Sequence, residues 1–131
     1  MTDLWGVDRL DLDAYLARIG ARPTDPLDVI HRAHLAAIPF ENLDVQLGLG
    51  VGVDLPDVQA KLVDGRRGGY CYEHGVLLGA ALERLGFLVE RRLARIGDPA
   101  VVARPRSHLV VLVDGQWLAD TGFGSGLLEP V

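Results

Sequence analysis

The sequence predicts an α+β fold in which a helical first half is followed by antiparallel strands. Apolar residues recur at helical spacing through much of residues 1–86, and the period changes in the residues after them. The dipeptide Asp114-Gly115, between two strand-like runs, is a hairpin signal. Strands that follow helices, rather than alternating with them, favour an antiparallel sheet. We therefore divide the chain into a helical part, 1–86, and a strand part, 87–131.

Two helices are expected before residue 40. The first is predicted between Asp11, a suitable cap, and Gly20. Its apolar positions follow the i, i+3, i+4, i+7 pattern: Leu12, Tyr15, Leu16 and Ile19. The second is predicted to start at 24–26, where a capping residue precedes a proline at the first turn, and to stop at Pro39.

The remaining elements follow from turn residues and a change of period. A short helix is predicted over 55–64, closed by Gly65, and a longer one over 71–85. Residues 87–96 are expected to form a strand, and the runs on either side of the Asp-Gly turn to form a hairpin.

Charge and composition exclude several classes of function. The formal net charge is -5 and the pI about 5.2, so no basic face is expected for nucleic acid or an anionic membrane. No apolar run approaches the ~20 residues that span a bilayer. Residues 1–20 carry acids where a signal peptide needs a basic start, and a single cysteine cannot form an internal disulfide. These features predict a soluble cytoplasmic domain.

Cys71, the only cysteine, lies in the stretch RRGGYCYEHG. It could be a buried structural thiol, a metal ligand or a nucleophile. Gly68 and Gly69 allow a tight backbone path into the predicted helix start at Cys71. The positive end of the helix dipole, together with Arg66 and Arg67, favours the thiolate form there. This pattern favours a nucleophile.

A nucleophilic thiol needs a base, and His108, which opens an apolar strand, is the strongest of the four histidines. A three-residue hairpin loop over 113–115, with its glycine in the left-handed conformation, would set His108 directly opposite Asp120. A two-residue turn would instead pair His108 with Thr121 and send Asp120 to the other face. We predict the three-residue loop or an equivalent bulge, and hence a Cys-His-Asp relay.

Four motifs resemble those of the arylamine N-acetyltransferase family, in the same order. RRGGYCYEHG (66–75) resembles its active-site motif, and HLAAIPFENLDV (34–45) its Ile/Val-Pro-Phe-Glu-Asn-Leu segment. SHLVVLV (107–113) resembles its Thr/Ser-His strand, and ADTGFG (119–124) its Asp-Val-Gly-Phe-Gly motif. The resemblance implies a cysteine-proteinase-like core, here with an incomplete β-barrel and without the C-terminal lid domain.

The resemblance also implies roles for the three relay residues. Cys71 would accept an acetyl group from acetyl-coenzyme A, His108 would act as its base, and Asp120 would orient the imidazole. The thioester would then pass to an arylamine or hydrazine in a ping-pong reaction. Acetyl-coenzyme A is thus implied as a co-substrate, with no bound cofactor and no metal.

Further roles are implied around the relay. Phe40 and Phe123 correspond to positions that line the acceptor pocket, and the turn containing Gly122 and Gly124 lies near the path of the coenzyme's pantetheine arm. Backbone N–H groups of this turn could contact the thioester or phosphates.

Other motif residues are expected to have structural roles. Glu41 and Asn42 are interpreted as partners of Arg67, tying the helical part to the active-site loop. Gly68 and Gly69 are expected to serve backbone geometry.

The sequence departs from the family pattern in three ways. Gly75 stands where the family has Asn, which costs up to ~1 kcal/mol of helix stability against Ala. Thr121 replaces the usual Val. The chain is also about half as long as full-length members, which leaves strand edges open to self-association.

Alternative interpretations remain. Two pairs of residues offer a zinc-type ligand set: His31, His34, Cys71 and His74. Within the family, an amide synthase that closes macrolactams from carrier-bound acyl chains uses the same relay. Hydrolysis of the thioester and a non-catalytic interaction module are further possibilities.

Overall fold

The computed structural model describes residues 5–50, 52–95, 106–122 and 130–131. The motif residues Phe123 and Gly124 lie outside these ranges. Among the described residues, five α-helices precede a three-stranded antiparallel sheet, which confirms the α+β prediction. The helices are α1 (Leu12–Ile19), α2 (Leu27–Ala37), α3 (Leu43–Gln46), α4 (Leu55–Val58) and α5 (Cys71–Arg84), and the strands are β1 (Val89–Arg95), β2 (Arg106–Val113) and β3 (Trp117–Ala119).

The first helix begins as its sequence predicts, and the second does not. Asp11 caps α1 by accepting the Ala14 N–H at 3.0 Å, and Gly20 ends it with a φ of 73°. The prediction of a side-chain cap at 24–25 for α2 is wrong. Pro26 occupies the capping position, and the Asp25 carboxylate instead accepts the backbone N–H of Arg22 at 2.8 Å. Asp25 closes its own local turn and is therefore not used by the helix.

The predicted short helix over 55–64 changes type along its length. It starts as α4 and continues as a π-helical segment, Gln59–Asp64. The π segment carries Lys61, whose side chain is only 14% exposed and reaches the first turn of α5. The widened backbone thus belongs to the surroundings of the candidate site, a common location for π-helical turns.

Helix α5 is the centre of the fold, since ten of its fourteen residues are buried and strand β2 packs against it. Gly75 lies at this contact. A Cβ atom there would come within 2.7 Å of Leu109 Cδ2. The glycine therefore lets β2 approach α5, and the helix continues through it without a break.

The hairpin register differs from the prediction by two residues. Val113 pairs with Trp117, so the loop is Asp114–Gln116 rather than 113–115. Gly115 does take the left-handed conformation, with a φ of 69°. Direct opposition of His108 and Asp120 is therefore wrong. Because side chains alternate between faces with a period of two, a shift of two keeps Asp120 on the same face as His108.

Among the residues that the structure describes, no helix is long and apolar enough to cross a membrane.

We predict that Gly75→Ala destabilises the protein by about 1–3 kcal/mol, because overpacking against Leu109 outweighs the gain in helix propensity. In a Leu109→Ala background, where the clashing atoms are gone, the same substitution should be neutral or stabilising. Urea unfolding of the four proteins of this double-mutant cycle measures both effects. A Gly75→Ala protein that is more stable than wild type would contradict the packing argument.

Candidate active site

The segment before α5 is held by the IPFENL segment through main-chain hydrogen bonds. The Gly69 N–H donates to the Pro39 carbonyl at 3.2 Å, and the Glu41 N–H donates to the Gly69 carbonyl at 2.9 Å. This parallel bridge pairs Phe40 with Gly69. A Cβ atom at Gly68 would overlap the Pro39 carbonyl, so only glycine allows this close approach. Phe40, the bridge residue of the IPFENL segment, is 41% exposed.

Arg67 pairs with two carboxylates, Glu41 of the IPFENL segment and Asp44 directly after it. Its Nη2 lies 3.2 Å from Glu41 Oε1 and 3.1 Å from Asp44 Oδ1. Hydrogen bonds from Arg67, and after it from Lys61, hold the pKa of Asp44 below its usual value. The expected contact between Arg67 and Asn42 is wrong: Asn42 is the N-cap of α3, and Asp44, in the first turn of that helix, makes the second contact.

Glu73 fixes the first turn of α5. Its Oε1 accepts the Tyr70 N–H at 3.1 Å, which satisfies a backbone donor that the helix leaves free. The Lys61 ammonium lies 3.0 Å from Glu73 Oε2 and 3.1 Å from Asp44. Glu73 is buried, and pairing with Lys61 offsets the cost of burying its charge. The sequence analysis missed this pair; the glutamate at the third helical position was the available signal.

His108 joins Cys71 and Asp120. Its Nε2 lies 2.5 Å from Asp120 Oδ2, and the two side chains are 5% and 11% exposed. The hydrogen bond to Asp120, and after it one to Cys71, raise the pKa of His108 to about 9. Since Asp120 occupies Nε2, Nδ1 is the ring nitrogen left for the thiol. The structure thus brings the three predicted relay residues together, with an imidazolium favoured between the thiol and the carboxylate.

Gly122 packs directly on the start of α5. A Cβ atom there would lie 2.8 Å from Cys71 Cα and 3.0 Å from His74 Cβ. Its N–H donates to Asp120 Oδ1 at 3.0 Å. This N–H is therefore engaged within the protein, and a contact of Gly122 with the coenzyme stays a prediction. Gly124, with the same expected role, lies outside the described residues.

A chain of hydrogen bonds connects α1, α2 and α5. Tyr15 Oη lies 2.7 Å from His34 Nδ1, His34 Nε2 lies 2.9 Å from His74 Nδ1, and His74 Nε2 lies 3.0 Å from the Pro39 carbonyl. The carbonyl can only accept, so the neutral chain has one direction, with Tyr15 donating at one end and His74 donating at the other. Burial holds the pKa of His34 well below its usual value, and that of His74 below it as well.

The same contacts bear on the zinc interpretation. His34 and His74 bind each other directly, and His31 Nε2 accepts the Asp120 N–H at 3.0 Å. The described residues contain no group of three or more side chains arranged to hold a metal ion. In the described part of the chain, the candidate zinc ligands are thus used for internal hydrogen bonds.

Comparison with known proteins places these motifs in a family. The sequence model of an N-acetyltransferase family matches residues 24–131, most of the chain. The chain belongs to the arylamine N-acetyltransferase family. The arylamine N-acetyltransferase of Mycolicibacterium smegmatis is 47% identical over 133 residues, covering 91% of this chain and 48% of that protein.

Solved structures of the family share the fold. The arylamine N-acetyltransferase from Mycobacterium abscessus matches with a TM-score of 0.90 at 41% identity, covering 100% of this chain and 49% of that one. The Mycobacterium marinum enzyme in complex with CoA matches with a TM-score of 0.79 at 38% identity, covering 92% and 50%. The chain thus spans about half the length of the relatives it matches.

We predict that the free energy of unfolding falls as the pH drops below about 6.5, the ordinary pKa of histidine. Below that pH, His34 and His74 become protonated in the unfolded chain. They stay neutral in the folded state because their pKa values are lowered there. Urea unfolding between about pH 6.5 and 5 measures the slope, and His34→Gln, which removes one of these groups, should reduce it. A flat profile in the wild type would contradict the neutral chain.

Proposed function

We propose that this chain carries the acyl-accepting centre of an arylamine N-acetyltransferase, with Cys71 as nucleophile, His108 as acid and base, and Asp120 as the residue that orients His108. The observation that carries the proposal is the position of His108. One side of its buried imidazole binds a carboxylate, the other side is left for the only thiol, and its pKa is raised. This is the arrangement that a thiolate nucleophile requires.

The chemistry proceeds in two transfers. The Cys71 thiolate attacks the acetyl carbonyl of acetyl-coenzyme A, and the coenzyme's sulfur leaves with the proton that the His108 imidazolium supplies. The acetyl group is then held as a thioester on Cys71. An arylamine or hydrazine attacks this thioester, the neutral His108 takes the proton of the attacking nitrogen, and Cys71 is released as the thiolate beside a protonated imidazole.

The parts of this proposal have separate support. A raised pKa at His108 keeps a proton available for the leaving sulfur in the neutral range. The donor class is supported by the coenzyme complex of the Mycobacterium marinum relative, and the acceptor class by the names of the relatives. The exposed ring of Phe40, whose backbone pairs with the loop before Cys71, offers an apolar surface for an aromatic acceptor.

The decisive experiment is acetylation of the protein itself. After incubation with acetyl-coenzyme A, intact mass should show one acetyl group, because Cys71 is the only cysteine. Hydroxylamine at neutral pH should remove it, as expected of a thioester, and an added arylamine should remove it with formation of the amide. Cys71→Ala should remain unmodified. No adduct on the wild type, or an adduct of equal size on Cys71→Ala, would overturn the proposal.

A second prediction concerns the pair formed by His108 and Asp120. Asp120→Asn removes the largest cause of the raised pKa of His108, so the imidazole loses its proton near neutral pH and no longer stabilises the thiolate. We expect iodoacetamide to alkylate Cys71 about tenfold more slowly at pH 7.5 in this variant, with the difference closing towards about pH 9, where thiols ionise unaided.

The control for this measurement is Asp13→Asn, which makes the same charge change on the exposed face of α1. It should alkylate at the wild-type rate. If Asp120→Asn and wild type also had equal rates at pH 7.5, the proposed role of the carboxylate would be wrong.

A further inference from the structure

His31 is a buried polar residue that the acetyl-transfer chemistry does not use. It lies in α2 with no exposed surface, at the centre of the helical part. Its Nε2 lies 3.0 Å from the backbone nitrogen of Asp120, which is 89 residues further along the chain. The contact therefore joins the helical part to the residue that holds His108.

The direction of this hydrogen bond follows from its donor. The backbone N–H of Asp120 can only donate, so Nε2 of His31 accepts and the neutral ring carries its proton on Nδ1. The acceptor belongs to the interior of the protein, since His31 has no exposed surface. Ile30, the neighbour of His31 in the same helix, is fully buried and offers no such group.

Asp120 needs this support because of where it lies. Strand β3 ends at Ala119, so the hydrogen bonds between strands no longer constrain the backbone at Asp120. Two further contacts act on its side chain, from His108 and from the Gly122 N–H. Without this acceptor, the backbone N–H of the half-buried Asp120 would lose its partner, and the segment would move to satisfy it.

We propose that His31 is a positioning residue: it holds the Asp120 backbone so that the carboxylate meets His108 and, through it, keeps Cys71 reactive. The consequence for acetyl transfer depends on the function proposed above. The effect on the thiol does not, because alkylation of Cys71 needs neither coenzyme nor amine. A failure of this inference is therefore distinguishable from a failure of the proposed function.

The test compares two replacements of His31. His31→Met fills similar space without a comparable acceptor, whereas His31→Gln places an amide oxygen near the position of Nε2. We expect Met to slow alkylation of Cys71 by iodoacetamide at pH 7.5 by about tenfold, and Gln to restore the rate to within about threefold of wild type. Thermal unfolding of both variants shows whether each is folded at the assay temperature.

A double-mutant cycle separates positioning from general packing. If His31 acts through Asp120, His31→Met should slow alkylation by less than about twofold in an Asp120→Asn background. An unchanged rate in a folded His31→Met protein would overturn the proposal. So would an additive loss in the double mutant, or a folded Gln variant as slow as Met. If Met does not fold, the Gln variant decides: a near-normal rate supports the role, and a tenfold loss rejects it.

Discussion

The hydrogen bond between His108 and Asp120 is the interaction on which the candidate site depends. Its two partners come from β2 and from the residue after β3, so it exists only when the hairpin is formed. It lies next to Cys71 only because the sheet packs on α5 without a gap. Two glycines allow that contact, Gly75 against Leu109 and Gly122 against the backbone of Cys71. The relay at Cys71 therefore depends on the close packing of the sheet against α5.

The histidines near the site illustrate how surroundings set protonation. His34 and His74 are buried against each other and a carbonyl, and burial lowers the pKa of each. His108 is also buried, but its ring faces a carboxylate and its pKa is raised. Burial disfavours the charged ring in all three, and at His108 the hydrogen bonds to Asp120 and, after it, to Cys71 reverse that effect. Of these three histidines, the charged ring is favoured at His108, the one beside the thiol.

Most of the fold could be predicted from local patterns, and the errors concerned which of several neighbouring groups makes a given contact. The period of apolar residues located α1, α5 and the strands, because it depends on which face of each element is buried. The predicted side-chain cap of α2 was wrong because the Asp25 carboxylate accepts the backbone N–H of Arg22 instead. The prediction that Asn42 is a partner of Arg67 was wrong because Asp44 lies within reach of the same guanidinium.

The sequence by itself determined the residue types of the site and their order, since a thiol at a helix start, an imidazole in a strand and a carboxylate after a hairpin are all local features. The predicted three-residue loop also placed His108 and Asp120 on one face, because that depends only on whether the register is odd or even. Tertiary structure decided the register itself, the Lys61–Glu73 pair and the contact from His31 to Asp120. Each of these brings together groups from separate segments, and no local propensity specifies such a distance.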